Sequence, residues 1–124
     1  MIDLPKNEHT FDFNEIGEMT GNKYEGKFTV YCILNLGLRH ALEVERSRLQ
    51  RDMMNPTVGL SNISFLLSNL RVRIINGPAW WDESNSGATI LDDNIMRVLL
   101  DKVLEAEDIW KKKLEDSKKK SEEQ

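Results

Sequence analysis

Nucleophiles and imidazole bases are scarce in this chain of 124 residues. It has one cysteine, Cys32, and two histidines, His9 and His40, which are widely separated along the sequence. A cysteine nucleophile needs a base beside it, and a zinc site needs several soft ligands at short, defined spacings. Cys32 has an apolar neighbour on each side and lies in the middle of a predicted strand, which favours a small core residue. We therefore predict no catalytic residue, no metal site, no cofactor and no enzymatic activity.

Acidic residues are the most numerous candidates for ligands or catalytic groups. They cluster at residues 82–83, 92–93 and 105–108, and their oxygens could bind a divalent metal or form a catalytic carboxylate pair. No cluster has the alternating ligands and central glycine of a calcium loop, and nothing indicates a cleft between two carboxylates. Helix caps and solvated helix faces account for these residues.

Arginine is concentrated in the first two predicted helices, where it could follow a phosphate backbone. Acidic residues are interleaved among the first four arginines, and no aromatic platform accompanies them. We therefore interpret them as solvated, ion-paired helix faces. The six residues are Arg39, Arg46, Arg48, Arg51, Arg71 and Arg73.

The composition excludes further classes of protein. A single domain is the default at 124 residues, and one cysteine rules out a disulfide-framed secreted domain. The net charge of −4 argues against a wholly basic nucleic-acid binder. The N-terminus lacks a signal-peptide pattern, and no stretch approaches the roughly 20 apolar residues that span a bilayer. We expect a reduced, cytoplasmic compartment and no membrane partner.

The pattern of apolar residues predicts one α+β domain over residues 1–114. Residues 10–16 alternate between apolar and polar, and residues 24–34 are rich in β-branched and aromatic side chains. Turn-forming residues lie between them. We therefore predict a two-stranded β-hairpin at about residues 10–34, with pairing of the strands to another chain as the alternative.

Three helices are predicted after the hairpin, at about residues 36–53, 61–75 and 93–114. Each has apolar residues three and four positions apart, and the proline in Asn55–Thr57 ends the first. Residues 115–124 contain no apolar side chain, so we expect a charged, flexible tail. The expected N-caps are Asn35, Ser61 or Asn62, and Asp92 or Asp93.

Two adjacent tryptophans, Trp80 and Trp81, open a predicted loop of about a dozen residues after the second helix. Adjacent residues of a loop rarely both point inward. We expect one tryptophan to anchor the loop on the core and the other to be exposed at a partner surface. The alternative is that both cover the core.

The third predicted helix is apolar over more than half of its circumference between Ile95 and Leu104. Such a face needs cover from two sides, and a small domain has few elements to provide it. A protein partner or self-association explains the face better than an isolated monomer. The predicted partner-binding residues are Trp80, Trp81, Met96, Leu100 and Leu104.

Several short motifs follow one another along the chain. They are YEGKFTV at residues 24–30, LRVRIINGPAWW at residues 70–81, Gly87, and LDDN at residues 91–94 before an amphipathic final helix. Together they resemble the small tail proteins of tailed bacteriophages, and most of all the tail assembly chaperones. The resemblance spans about residues 11–114, and none of its motifs is catalytic.

The resemblance implies a non-enzymatic protein that acts during virion assembly in the host cytoplasm. Tail assembly chaperones bind the long tape measure protein and recruit tail-tube subunits around it. A small amphipathic partner covers the apolar stripes of such an extended client by helix-in-groove binding. The expected partners are therefore the tape measure protein, tail-tube subunits and a second copy of the chain.

Two other functions are alternatives. A structural virion component, such as a head–tail connector or a minor tail subunit, would use the hairpin and the loop in permanent contacts and would be found in the virion. A small nucleic-acid-binding regulator would use the arginine-bearing helices, and its binding would weaken steeply with salt. The interleaved acidic residues make nucleic acid the least favoured partner.

Overall fold

The first two strands form the antiparallel hairpin that the sequence predicts. A computed structural model describes residues 2–51 and 58–123 of the chain. Strand β1 (His9–Ile16) pairs with strand β2 (Lys23–Val30) along their whole length, from His9 opposite Val30 to Ile16 opposite Lys23. Alternation buries Phe13 and Phe28 on one face of the pair. The pairing is therefore confirmed, and β2 ends before the predicted limit at residue 34.

A third strand and a fourth helix correct the predicted architecture of two strands and three helices. Helix α2 (Val58–Arg73) ends before residue 75, and strand β3 (Ile74–Asn76) pairs antiparallel with β2 in the order β1-β2-β3. Helix α3 (Ala79–Glu83) occupies the beginning of the predicted loop. Both elements are too short to show a hydrophobic period.

The remaining helices are close to their predicted positions. Helix α1 (Leu36–Gln50) begins at the predicted cap, because Asn35 Oδ1 accepts a hydrogen bond from the Leu38 N–H at 2.9 Å. The predicted end of this helix at residue 53 and its break at residues 55–57 lie outside the described residues. Helix α2 begins before Ser61 and Asn62, so these residues are inside the helix and the prediction that they cap it is wrong.

Helix α4 (Asp93–Glu123) is longer than predicted. It continues past residue 114 through the charged segment, and the flexibility of that segment stays a prediction. No described helix combines the length and the apolar character that crossing a membrane requires.

The core lies between one face of the sheet and α4. Burial of Cys32, which is 3% exposed, raises the pKa of its thiol and agrees with its predicted role as a core residue. The opposite face of the sheet is largely exposed. The buried apolar side chains are Phe13, Phe28, Val30, Cys32, Leu70, Ile74, Trp81, Ile95, Met96, Leu99, Val103 and Ala106.

Asp92 fastens the β1–β2 turn to the beginning of α4. Its side chain is 1% exposed, and its oxygens accept hydrogen bonds from the backbone N–H groups of Met19 (2.8 Å) and Thr20 (2.9 Å). The hydroxyls of Thr20 (2.6 Å) and Tyr24 (2.8 Å) donate to the same carboxylate. Hydrogen bonds from Thr20, Tyr24 and Met19 hold the pKa of Asp92 at about 2. The carboxylate therefore binds the turn rather than capping its own helix.

Replacing Asp92 with alanine should strongly destabilise the fold, because four donors in the turn lose their acceptor. We expect Asp92→Ala to lower the Tm by about 10 °C or more, measured by circular dichroism. The exposed neighbour Asp93 is the control, and Asp93→Ala should change the Tm by no more than about 2 °C. Equal effects of the two substitutions would contradict the assigned role of Asp92.

The lowered pKa of Asp92 also predicts an acid-sensitive fold. Because the folded-state pKa lies below the ordinary value of 3.8, the stabilisation is fully present above that value and is lost as pH falls towards 2. Unfolding by urea at a series of pH values should show stability decreasing over this window. The decrease should be shallower in Asp92→Asn, since that side chain does not titrate.

Candidate protein-binding site

Both tryptophans pack against the core, as one of the two readings of the sequence predicts, and neither side chain is exposed. A contact of either tryptophan with a partner stays a prediction. Trp81 is 3% exposed and packs on Phe28. Trp80 is half-buried, its ring lies 5.1 Å from that of Tyr24, and its Nε1 donates to the Glu25 carbonyl at 3.0 Å. The one-turn helix α3 is the physical reason, because it turns two consecutive side chains towards the same sheet.

The predicted partner-binding residues of α4 divide into a buried one and two partly exposed ones. Met96 is 5% exposed and belongs to the core, so it is not available to a partner in this conformation. Leu100 and Leu104 are partly exposed. The sheet and α2 both pack against α4, and cover of its remaining apolar side chains by a partner or a second copy stays a prediction.

Several of the six arginines are engaged within the chain. Arg48 and Arg71 both contact the Glu45 carboxylate, at 2.6 and 2.9 Å, and their hydrogen bonds hold the pKa of Glu45 at about 2. Arg73 is 8% exposed and donates to Asn69. These arginines therefore bond to other side chains of the protein and do not form one continuous basic surface with each other.

A groove between α2 and α4 brings several partly exposed apolar side chains together around a cavity. Its volume is about 710 Å³. Ile63 is 54% exposed and Phe65 45% exposed, and both line the groove with Leu100. We call this cavity the α2–α4 groove, and its lining residues are Asn62, Ile63, Phe65, Leu66, Leu67, Gly87, Ala88, Ile90, Asp93, Met96, Arg97 and Leu100.

The loop after α3 forms one wall of the α2–α4 groove and has an unusual backbone. Asn85, Ser86 and Gly87 are consecutive residues with positive φ angles of 54°, 52° and 92°. Side chains with a Cβ rarely adopt this conformation, and Gly87 in addition packs closely on Met96. This part of the wall therefore needs support from outside the loop.

Arg71 provides that support. Its Nη2 donates to the Asn85 carbonyl at 3.1 Å and its Nε to the Ser86 carbonyl at 3.3 Å, while its Nη1 binds Glu45 of α1. The guanidinium side chain is 16% exposed, so these contacts are shielded from water. One arginine thus links α1, α2 and the groove wall.

The side chains that line the α2–α4 groove are a mixture of apolar and polar residues. Among the described residues, no three His, Cys, Asp or Glu side chains are placed to hold a metal ion. The groove wall is mostly apolar, and its polar residues, Asn62, Asp93 and Arg97, include both charges. Such a surface suits an amphipathic helix whose apolar side enters the groove.

Of the predicted partner-binding residues, Met96 and Leu100 line the groove. Ile63, Leu66 and Leu67 also line it, and their three-and-four spacing predicts an amphipathic helix without distinguishing core residues from groove residues. Phe65 is not among the predicted residues. A large aromatic residue outside the three-and-four spacing of the stripe was the signal that could have revealed a second apolar surface.

Comparison with known proteins adds no relative, because no protein-family model, no curated protein and no solved structure matches the chain significantly.

Removing the Arg71 contacts should loosen the groove wall. In Arg71→Gln we expect amide exchange of Ser86 and Thr89, whose N–H groups are bonded within the loop, to accelerate about tenfold or more. Arg48→Gln is the matched control, because Arg48 contacts the same Glu45 carboxylate without contacting the loop. Unchanged exchange in Arg71→Gln, or equal acceleration in both variants, would show that Arg71 does not hold the loop.

Proposed function

We propose that this protein is a non-enzymatic bacteriophage tail assembly chaperone whose α2–α4 groove binds an amphipathic helix of the tape measure protein. The observation that carries the proposal is the exposure of Ile63 (54%) and Phe65 (45%) beside a cavity of about 710 Å³. Apolar side chains grouped around a concave surface are typical of protein-binding sites. The short motifs that resemble tail proteins name the client.

The size of the groove is compatible with reversible binding. Full burial of an Ile or Phe side chain contributes roughly 1.5–3 kcal/mol, and Ile63 and Phe65 are already about half covered. Each therefore contributes on the order of 1 kcal/mol to binding. Association also costs translational and side-chain entropy. The client should therefore dissociate readily, as a chaperone requires when tube subunits replace it.

The polar residues of the groove should orient the bound helix. Asp93 and Arg97 both line the groove, and they are one turn apart on α4. A client helix with one basic and one acidic residue at similar spacing would pair with both. Charged pairs of this kind contribute more to orientation than to affinity.

A charge in the groove should abolish client recovery. We expect tagged wild-type protein to recover the tape measure protein and tail-tube subunits from infected cells, and Ile63→Glu to recover at least tenfold less of the tape measure protein. The measurement is quantitative mass spectrometry of the eluate. Val44→Glu is the matched control, because Val44 of α1 is also 54% exposed and lies outside the groove lining.

Four results would argue against this function. An equal loss of tape measure protein recovery in Ile63→Glu and Val44→Glu would place binding outside the groove. A Tm that is lowered in Ile63→Glu but not in Val44→Glu would show that Ile63 stabilises the monomer. Recovery of neither client, together with the protein in purified particles, would favour the alternative of a structural virion component. Recovery of nucleic acid that disappears at modest salt would favour the regulator.

A further inference from the structure

Strand β1 leaves one long edge of the sheet open. Among the described residues, the order β1-β2-β3 gives β1 a neighbouring strand on one side alone. Its eight residues pair with β2 in continuous register, without the bulge that interrupts the pairing of β2 with β3. A regular strand at an open edge is a template for another strand.

A hydrogen bond next to the β1–β2 turn shows which backbone N–H and C=O groups of β1 point away from β2. The Gly17 N–H donates to the Asn22 carbonyl at 2.8 Å, so this pair belongs to the bonded set of the ladder. Bonded and non-bonded pairs alternate in an antiparallel ladder. The N–H and C=O groups of Thr10, Asp12 and Asn14 therefore point away from β2.

The side-chain contacts at the edge agree with this assignment. Ile16 belongs to the same outward set, and its carbonyl accepts a hydrogen bond from Asn94 Nδ2 at 3.0 Å. Thr10, Asp12 and Asn14 are exposed, and no other described residue bonds to their outward backbone groups. The open part of the edge thus spans residues 10–14.

The charge around the edge indicates the chemistry of its partner. Strand β1 carries Asp12 and Glu15 and no Lys or Arg, whereas Glu8 before it is paired with Lys6. Lys27 of β2 lies opposite Asp12, but the two side chains do not form an ion pair. A second copy paired antiparallel with Asp12 opposite Asp12 would place like charges across the strand pair, which is destabilising. A strand with basic residues would gain from the same arrangement.

We propose that the open edge of β1 binds an extended, Lys- or Arg-bearing segment of another protein, which adds a fourth strand to the sheet. Backbone hydrogen bonds to residues 10–14 provide affinity, and side chains provide selectivity. Basic residues of the segment lie beside Asp12 on the exposed face. Its alternate residues lie beside the half-buried Phe11 on the other face, so they should be apolar.

A labelled peptide with alternating Lys and Val is the probe for this site, and a second peptide with Glu in place of Lys is its charge control. We expect the Lys peptide to bind wild-type protein in fluorescence anisotropy at least tenfold more tightly than the Glu peptide. Added salt should reduce this difference. Equal binding of both peptides would overturn the charge argument.

Asn14→Pro tests the backbone hydrogen bonds directly. Proline removes an N–H that points away from β2, so the ladder to β2 is retained. We expect at least tenfold weaker peptide binding by Asn14→Pro and unchanged binding by Asn14→Ala, which keeps the N–H. Unchanged binding by a folded Asn14→Pro variant would overturn the proposal.

Two further measurements complete the test. If Asn14→Pro does not fold, a Lys peptide N-methylated at alternate residues takes its place, and binding of that peptide to wild-type protein would overturn strand pairing. Analytical sedimentation tests whether a second copy occupies the edge. A dimer that persists in Asn14→Ala and with the N-methylated peptide, but dissociates with the unmodified peptide, would identify a second copy as the occupant. That result would overturn the proposal. Ile63→Glu should bind the Lys peptide normally, so this site and the α2–α4 groove can fail independently.

Discussion

The position of α4 between the sheet and α2 is the constraint around which the fold is organised, and the described residues leave part of its apolar face partly exposed. Ile95, Leu99 and Val103 are fully buried in the core against the sheet. Helix α2 covers the adjoining side, but Leu100 stays partly exposed beside Ile63. The α2–α4 groove is therefore the place where the core reaches the surface, which explains why most of its lining residues are apolar.

Two charged side chains with several hydrogen-bond partners link the elements around α4. Asp92 ties the β1–β2 turn to the first residues of the helix, and Arg71 ties α1 and α2 to the loop that forms the groove wall. Both are charged groups bonded to several partners in shielded surroundings, where hydrogen bonds are strong and directional. Apolar packing fixes which faces meet, whereas these contacts fix the lateral positions that determine the shape of the groove.

The extent to which the sequence predicted the fold follows from the length of each element. The eight-residue strands and the long helices have enough residues to show their hydrophobic period, and Asn35 is an explicit helix start. Strand β3 has three residues and α3 has five, so their existence depends on tertiary contacts with β2 and the core. The orientation of Trp80 and Trp81 depends on α3, so it could not be predicted from the sequence either. The exposure of Ile63 also depends on tertiary structure. Its position in the sequence has the spacing of a core residue, yet its side chain is 54% exposed beside α4.

The central claim is that the α2–α4 groove contacts the client during tail assembly, and site-specific photo-crosslinking in infected cells tests it most directly. A photoreactive phenylalanine analogue at residue 65 preserves the aromatic character of Phe65, and the same analogue at residue 44 reports on the outer surface of α1. The account predicts a crosslinked product with the tape measure protein from residue 65 and none from residue 44. A product from residue 44 without one from residue 65, or products from residue 65 with other proteins alone, would contradict it.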